Sequence, residues 1–337
     1  MPHPVILHLT DLHFGYQSAD NSERVNRQIA LDGLLSTIGS LHEDWKPSII
    51  CLSGDIAYSG SREDYQLALE WLRRLMDVCR IGPERVIACP GNHDVIRARA
   101  LQQDRPSNAI TADRILTTDI PPVFSGIFAG YIQFCQDAGI QSMMLDSNQS
   151  WLVGAHEMID GIQFVSLNTS WYCQGGNDDN GNLWVGLPQI RSLVVDGKLN
   201  VISNQEAPTT VVLMHHPFSW LTQDDQVTRG GRNTAEYLAQ HCHILLTGHE
   251  HGRMGRVHRI FEGALHFPGG AGYESGFYQN GFRLVRLEGA HFVYRSYEYD
   301  ASLSENSWQQ RGSDTALPKP GQAFVPVTEP EKKKHMT

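Results

Sequence analysis

The sequence predicts an α/β fold with a largely parallel sheet covered by helices. Three short apolar runs, at 5–9, 48–52 and 85–89, alternate with two segments of helical periodicity. Strands that alternate with helices are typical of parallel strands joined by helical crossovers. At 337 residues, with 41% hydrophobic and 19% charged residues, the chain is long and apolar enough to bury a large core, which excludes a disordered or fibrous protein.

The elements of the first ninety residues follow in a regular order. The run Val5–Leu9 is aliphatic and β-branched, as in a buried strand. Apolar residues then recur with helical spacing from 22 to about 41, before the second strand. Ser61 and Asp64 resemble the two ends of a capping box and open a helix that runs to about 78. The third strand completes a strand–helix–strand–helix–strand pattern.

The later elements are predicted to be shorter and less regular. Segment 95–150 is only weakly helical, at 124–138, and Asp160-Gly161 marks the turn of a hairpin formed by 152–158 and 162–168. Further strands are predicted at 210–214, 243–247, 257–261, 264–267, 282–287 and 291–297, with helices at 188–195 and 235–240. We expect one domain over residues 1–300, in which 95–150 and 171–187 shape a pocket, and an extension over 301–337 that is disordered from about 318.

Charge and cysteine content narrow the classes of protein. Lys and Arg number 27 against 37 Asp and Glu, and the net charge of −10 argues against a broad nucleic-acid-binding surface. No run approaches the roughly 18 apolar residues of a membrane span. The six cysteines are scattered, and no signal peptide is visible, so a disulfide framework is not expected and the predicted location is the cytoplasm.

Polar residues that carry chemistry follow five of the predicted strands. They are Asp11 and His13; Asp55; Asn92, His93 and Asp94; His215 and His216; and His249 and His251. Sites in open α/β sheets form at the carboxyl ends of strands, so we expect these residues to meet there. A set of oxygen and nitrogen donors without thiolates suits Mn, Fe, Zn, Co or Ni, and disfavours a structural zinc site.

Glycines and one carboxylate suggest how such a site is built. Gly54, Gly91 and Gly248 each directly precede a candidate ligand, where the chain must turn sharply or approach closely. Two divalent ions about 3.5–4 Å apart repel each other, and a carboxylate between them reduces that repulsion. Asp55, a single carboxylate after a buried strand, is the expected bridge.

These five blocks, in this order, resemble the calcineurin-like metallophosphoesterases over about residues 5–300. The resemblance implies a four-layer α-β-β-α sandwich of two mixed sheets flanked by helices, with a two-metal site at the strand carboxyl ends. By position, one metal is held by Asp11, His13, Asp55 and His251 and the other by Asp55, Asn92, His215 and His249. His93 is implied to face the substrate phosphate without ligating.

The second block departs from some branches of this superfamily. Protein Ser/Thr phosphatases read G-D-x-x-D-R-G, whereas residues 54–60 lack the second Asp and the Arg, which disfavours phosphoprotein substrates and leaves His93 without its usual carboxylate partner. Residues 11–15 resemble the corresponding block of some nucleases of the superfamily. The presence of Tyr58 and the excess of acidic residues are not typical of those nucleases. The bacterial cyclic-nucleotide phosphodiesterase-like branch is the most similar overall.

Several residues are weaker candidates. Adjacent side chains leave a strand in opposite directions, so we expect His215 to ligate and His216 not to. His216, Asp94 and Tyr58 are candidates for contacts with the substrate or with the ligands. Tyr58, Trp171 and Tyr273 are candidates for a base-stacking pocket, although core packing is the favoured interpretation for all three.

The predicted function is therefore metal-dependent hydrolysis of a phosphoester by an activated water, with a cyclic nucleotide or similar small phosphodiester as the expected substrate. The predicted cofactors are two divalent or trivalent ions, with Mn or an Fe/Mn pair favoured, and the predicted partner is a nucleotide-like phosphate ester and not a membrane. A DNA or RNA nuclease and a phosphomonoesterase are the alternatives, because eight arginines flank the site blocks: Arg97, Arg99, Arg105, Arg229, Arg232, Arg253, Arg256 and Arg259. A non-catalytic scaffold of the same fold is the last alternative.

Overall fold

Two mixed β-sheets lie face to face in the computed structural model. It describes residues 3–16, 21–117, 121–141, 143–145, 148–175, 177–226, 233–251, 254–273, 279–303 and 307–321. Within these residues no helix is both long and apolar enough to cross a membrane.

The first sheet has six strands. They are β1 (Val5–Leu9), β2 (Ile49–Ser53), β3 (Val86–Cys89), β12 (Gly281–Glu288), β13 (His291–Tyr299) and β14 (Trp308–Pro318). Their order is β14-β13-β12-β1-β2-β3. Strands β1, β2 and β3 are parallel to one another, and the other three add antiparallel pairings, so the sheet is mixed.

The second sheet has eight strands among the described residues. They are β4 (Met143–Leu145), β5 (Asn148–Ser150), β6 (Gly154–Ala155), β7 (Ile162–Ser166), β8 (Thr209–Leu213), β9 (Ile244–Thr247), β10 (His258–Arg259) and β11 (Leu265–Pro268). Their order is β10-β11-β9-β8-β7-β6-β4-β5, with β7, β8, β9 and β11 parallel. The predicted hairpin at Asp160-Gly161 is present, since β6 pairs antiparallel with β7.

The helices are α1 (Asn21–Ser40), α2 (Arg62–Cys79), α3 (Arg97–Ala100), α4 (Ala109–Ile115), α5 (Pro122–Ile127), α6 (Ala129–Ala138), α7 (Leu187–Val195), α8 (Gln223–Gln226) and α9 (Thr234–His241). Helix α2 begins where the capping box predicts, because the Ser61 hydroxyl accepts a hydrogen bond from the Asp64 amide at 3.2 Å. The described part of segment 95–150 holds four short helices, α3 to α6, rather than one weak one.

The alternation of side chains in β1 shows how the layers form. Ile6 belongs to an apolar cluster between the two sheets, whereas Val5, Leu7 and Leu9 belong to the cluster that packs against the helices. Both faces of this strand are buried, and all its residues but His8 are apolar, as expected for a strand covered on both sides. The predicted α/β sandwich of two mixed sheets with flanking helices is confirmed.

Part of the predicted extension after residue 300 lies in the first sheet. Strand β14 pairs with β13, and the Trp308 indole donates a hydrogen bond to the Ala30 carbonyl of α1 at 2.7 Å. The sequence did not reveal this strand because its exposed residues are mostly polar. Residues 322–337, which contain most of the tail predicted to be disordered, lie outside the described residues.

Candidate metal centre

The loops that follow β1 and β2 lie side by side through backbone hydrogen bonds. The Asp11 amide donates to the Gly54 carbonyl at 3.1 Å, and the His13 amide donates to the Asp55 carbonyl at 2.9 Å. This pairing continues the parallel register of the two strands beyond their ends. It brings the side chains of Asp11, His13 and Asp55 to one point at the edge of the sheet.

Four of the candidate ligands have an unusual backbone conformation. The φ angles are 52° at Asp11, 46° at His13, 52° at Asp55 and 73° at His249. Residues other than glycine seldom adopt this left-handed region, and where they do the cost of about 1–3 kcal/mol is offset by surrounding structure. Such conformations concentrate at functional sites, which makes this backbone a structural indication independent of residue type.

One group of ligands forms around Asp11. His251 Nε2 lies 2.9 Å from Asp11 Oδ1, and His13 Nε2 lies 3.4 Å from His251 Nε2. His13 Nε2 also lies 3.8 Å from Asp55 Oδ2. Asp11, His13, Asp55 and His251 thus form a cluster whose donor atoms all lie within 4.8 Å of one another.

A second group forms around Asn92. Its Oδ1 lies 3.0 Å from His215 Nε2 and 2.9 Å from His249 Nδ1. His215 Nε2 also lies 3.3 Å from Asp55 Oδ2. The two groups therefore meet at one carboxylate oxygen, as the sequence predicts for a bridge.

The two oxygens of Asp55 have different surroundings. Oδ1 accepts a hydrogen bond from the His93 amide at 2.8 Å, which fixes the carboxylate. Oδ2 is buried and has no hydrogen-bond partner. A buried carboxylate oxygen that makes no hydrogen bond is costly unless a positive charge lies beside it, either on the His215 ring 3.3 Å away or on a bound cation. This oxygen and the mixed O and N donors around it fit a dimetal centre, which the His/Asp cluster suggests.

Neighbouring groups orient the ligands. His215 Nδ1 donates to the Ser53 carbonyl at 2.8 Å, which leaves Nε2 directed at the centre. Asp11 Oδ2 accepts from the Thr10 hydroxyl at 2.7 Å and from the His249 amide at 3.0 Å, which leaves Oδ1 for the cluster. Sequence analysis did not identify Thr10, although its position directly before a candidate ligand was an available signal.

The pKa values agree with a site that attracts cations. Burial lowers the pKa of His13 and of His249 to about 3, which keeps both rings neutral, the form that binds metals. Burial is the largest single influence on His215 and acts to lower its pKa, but Asp55, Asp11 and the Ser53 carbonyl together outweigh it and raise this pKa to about 9. The same carboxylate that would bridge two metals thus draws positive charge toward itself.

His93 lies beside the cluster and outside it. Its ring centroid is 4.6 Å from that of His13, and its Nδ1 donates to the Tyr58 carbonyl at 2.6 Å. The Tyr58 carbonyl thus accepts the hydrogen bond that a carboxylate partner of His93 would otherwise accept. It fixes the tautomer, so that Nε2 is directed away from the protein backbone.

His216 corrects one expectation. The rings of His215 and His216 do not point in opposite directions, since their centroids lie only 4.7 Å apart and both contact His249. Strand β8 ends at Leu213, so the alternation of an extended strand no longer applies to the pair. His216 is fully buried, with Nδ1 2.9 Å from the Thr169 hydroxyl.

Asp94 lies behind the ligands. Its carboxylate accepts hydrogen bonds from the Tyr65 hydroxyl and from the amides of Ile56, Ala57 and Gly91. Burial, with a contribution from Asp55, raises its pKa to about 6. Asp94 thereby joins the loops after β2 and β3, which carry Asp55 and Asn92.

The three aromatic candidates separate clearly. Trp171 and Tyr273 are each 1% exposed, so core packing is confirmed for both. Core packing is wrong for Tyr58, which is 39% exposed and stacks on His93. Trp220, which sequence analysis did not single out, lies with its ring centroid 4.0 Å from that of His249, and nothing in its sequence surroundings signals this contact.

Arg105 joins the two segments predicted to shape a pocket. It pairs with Asp179 and donates to the Tyr172 and Asp178 carbonyls. Asp179 in turn accepts from the amides at 174 and 175. The 171–187 loop approaches the site at Cys173, whose Sγ lies 4.0 Å from His216 Nε2.

Replacing Gly91 with alanine is expected to displace Asp55 and reduce metal binding. A Cβ at this position would overlap Asp55 Oδ1 and the Asp55 backbone nitrogen. Its φ lies outside the left-handed region, so the overlap alone is responsible, at a cost of about 1–3 kcal/mol. Metal content by mass spectrometry and the unfolding temperature should both fall. The control is Gly39→Ala in α1, where a Cβ would meet no close contact, and this variant should lower neither quantity. Two bound ions and an unchanged unfolding temperature in G91A would contradict this.

Comparisons with known proteins agree with this geometry. The sequence model described as calcineurin-like phosphoesterase matches residues 4–253. A solved dimetal phosphatase from Danio rerio is 12% identical, covers 95% of this chain and 100% of its own, and has a TM-score of 0.51. A solved PhoD structure is 11% identical, covers 99% of this chain and 73% of its own, and has a TM-score of 0.58. At these identities both structures indicate the fold alone. A search of curated proteins finds no significant match.

Proposed function

Since this chain belongs to the calcineurin-like phosphoesterase family, we propose that it is a binuclear metal-dependent phosphodiesterase that hydrolyses a cyclic nucleotide or a similar small phosphodiester. The observation that carries the proposal is Asp55 Oδ2, which is buried, makes no hydrogen bond, and lies 3.8 Å from His13 Nε2 and 3.3 Å from His215 Nε2.

The proposed ligands are those implied by the family resemblance. Asp11, His13, Asp55 and His251 hold one ion, and Asp55, Asn92, His215 and His249 hold the other. When bound, two such ions supply Lewis acidity, which lowers the pKa of a water and neutralises phosphoryl oxygens. Manganese or an iron–manganese pair suits this set of three carboxylate or amide oxygens and four imidazoles.

His93 is the proposed catalytic residue of the chain. Because Nδ1–H is engaged by the Tyr58 carbonyl, Nε2 carries a proton only when the ring is the imidazolium, and in that form it would stabilise charge on the phosphoryl group or protonate the leaving alkoxide. Its amide donates to Asp55, so the position of this ring is fixed relative to the ligands. The preference for a diester over a monoester rests on the family resemblance and not on any contact in the site.

The cellular location is a separate part of the proposal. All six cysteines are free and buried, which supports a reducing compartment such as the cytoplasm.

The nuclease alternative depends on the arginines around the site. Arg99 donates to the Gly126 carbonyl and Arg105 is engaged by Asp179, so both serve the fold. Arg97, Arg256 and Arg259 are exposed and keep this alternative open. The remaining three arginines, Arg229, Arg232 and Arg253, lie outside the described residues.

A substrate panel tests the proposed function. Purified protein loaded with Mn, Ni, Zn or Mg is offered 3′,5′- and 2′,3′-cyclic nucleotides, aryl mono- and diesters, and single- and double-stranded nucleic acid. We expect about two ions per chain, and hydrolysis of small diesters faster than of monoesters or polymers. Faster cleavage of nucleic acid would favour the nuclease, whereas fewer than about one bound ion per chain and no hydrolysis would favour the scaffold.

A further inference from the structure

Tyr58 presents an aromatic ring at the opening of the site. Its ring is 39% exposed, although its backbone is firmly held: the amide donates to the Phe14 carbonyl at 2.8 Å and the carbonyl accepts from His93. The next residue, Ser59, is held as well, because its amide and hydroxyl both donate to Asp64 at 2.8 Å and 2.6 Å. An exposed large apolar group on a rigid loop beside a polar site indicates a contact surface.

The neighbours of the ring fix its orientation. It stacks on His93, with centroids 5.1 Å apart and planes at 30°, and its centroid lies 4.9 Å from that of Tyr16 at 66°. Tyr58 thus contacts two other rings, one by stacking and one edge-on. Its ring centroid also lies 6.1 Å from that of the ligand His13, again edge-on, so Tyr58 adds to the aromatic surface of His93 close to the ligands.

We propose that Tyr58 is a specificity-determining residue, whose ring contacts a planar aromatic part of the substrate, such as a nucleobase or an aryl group, beside His93. This inference rests on the proposed function and names a feature of its substrate. Stacking of an aromatic group on a rigid Tyr58 ring favours binding in two ways. The two contacting ring surfaces are removed from water, and the tyrosine side chain, already held in place, loses little conformational entropy. An alkyl ester of the same acidity gains less from the same surface.

Two diesters with leaving groups of matched acidity test this inference. Methyl phenyl phosphate and methyl hexafluoroisopropyl phosphate are hydrolysed by the Mn-loaded protein and followed by phosphorus NMR. We expect the wild type to favour the phenyl ester about tenfold in kcat/KM, the size of one stacking contact. Tyr58→Phe should retain this preference and Tyr58→Leu should lose most of it, mainly through a higher KM for the phenyl ester.

The other outcomes separate this inference from the proposed function. Equal losses on both esters in Tyr58→Leu would mean that Tyr58 only positions His93, and would overturn the inference while the phosphodiesterase stands. Equal losses of preference in Tyr58→Phe and Tyr58→Leu would assign the effect to the hydroxyl and would also overturn it. A metal-loaded wild type that hydrolyses neither ester would overturn the proposed function, and this inference with it.

Discussion

Replacing Asp55 with asparagine is expected to reduce the bound metal from two ions per chain to one or fewer, and turnover by roughly 1,000-fold or more. Asp55 Oδ2 lies near His13 on one side and His215 on the other, so its charge serves both groups of ligands. Asparagine keeps the size of the side chain and tolerates the φ of 52°, so the loss can be assigned to charge rather than to backbone strain. Metal content per chain and kcat on an aryl diester are the measurements.

A matched control for Asp55 is available before β7 of the second sheet, at the opposite end of the strands from the site. Asp160 also has a left-handed φ, of 51°, but it lies in the turn before β7 and pairs with Arg85. Asp160→Asn should retain two ions and wild-type turnover, since an exposed pair contributes at most about 1 kcal/mol. Two bound ions and near-normal turnover in D55N would remove Asp55 from the role of bridge.

Replacing His93 with alanine is expected to lower turnover by roughly 100- to 10,000-fold while both ions stay bound. His93 is outside both groups of ligands, and its hydrogen bond to Asp55 comes from the backbone amide. The side chain can therefore be removed without removing a donor from either ion. The fall should appear in kcat on an aryl diester, with metal content by mass spectrometry unchanged.

The control for His93 is an exposed histidine. His42 is 77% exposed at its side chain and caps a short 3-10 turn before β2, whereas Asp55 follows the other end of that strand, so His42→Ala should leave both readouts unchanged. A His93→Ala enzyme that hydrolyses the diester at the wild-type rate would exclude His93 from the reaction. A variant that loses its metals would instead make His93 a ligand.

Much of the site was predictable because strand ends are easy to recognise. Short aliphatic runs predict the strands, and polar residues collect just after the end of each run. The first candidate ligands after the five runs are Asp11, Asp55, Asn92, His215 and His249. Parallel strands bring their carboxyl ends together, so order along the chain becomes proximity in space. The structure brings every one of the proposed ligands into one of the two groups.

The rest depended on geometry that a sequence does not encode locally. The relation of His215 to His216 depends on where β8 ends, which is at Leu213, two residues before His215. Exposure of Tyr58 depends on a loop held by Asp64 and Phe14, which lie in other elements. Strand β14 is polar along its exposed residues, so pairing with β13 defines it more than its own composition does.

The position of the centre between the sheets affects the whole fold. Each group of ligands draws on both sheets: Asp11, His13, Asp55 and Asn92 follow strands of the first, and His215, His249 and His251 follow strands of the second. An ion held by either group therefore binds only while the sheets are docked, and its binding free energy is added to that of docking. Cation concentration thus becomes a determinant of how cooperatively the two halves of the sandwich unfold.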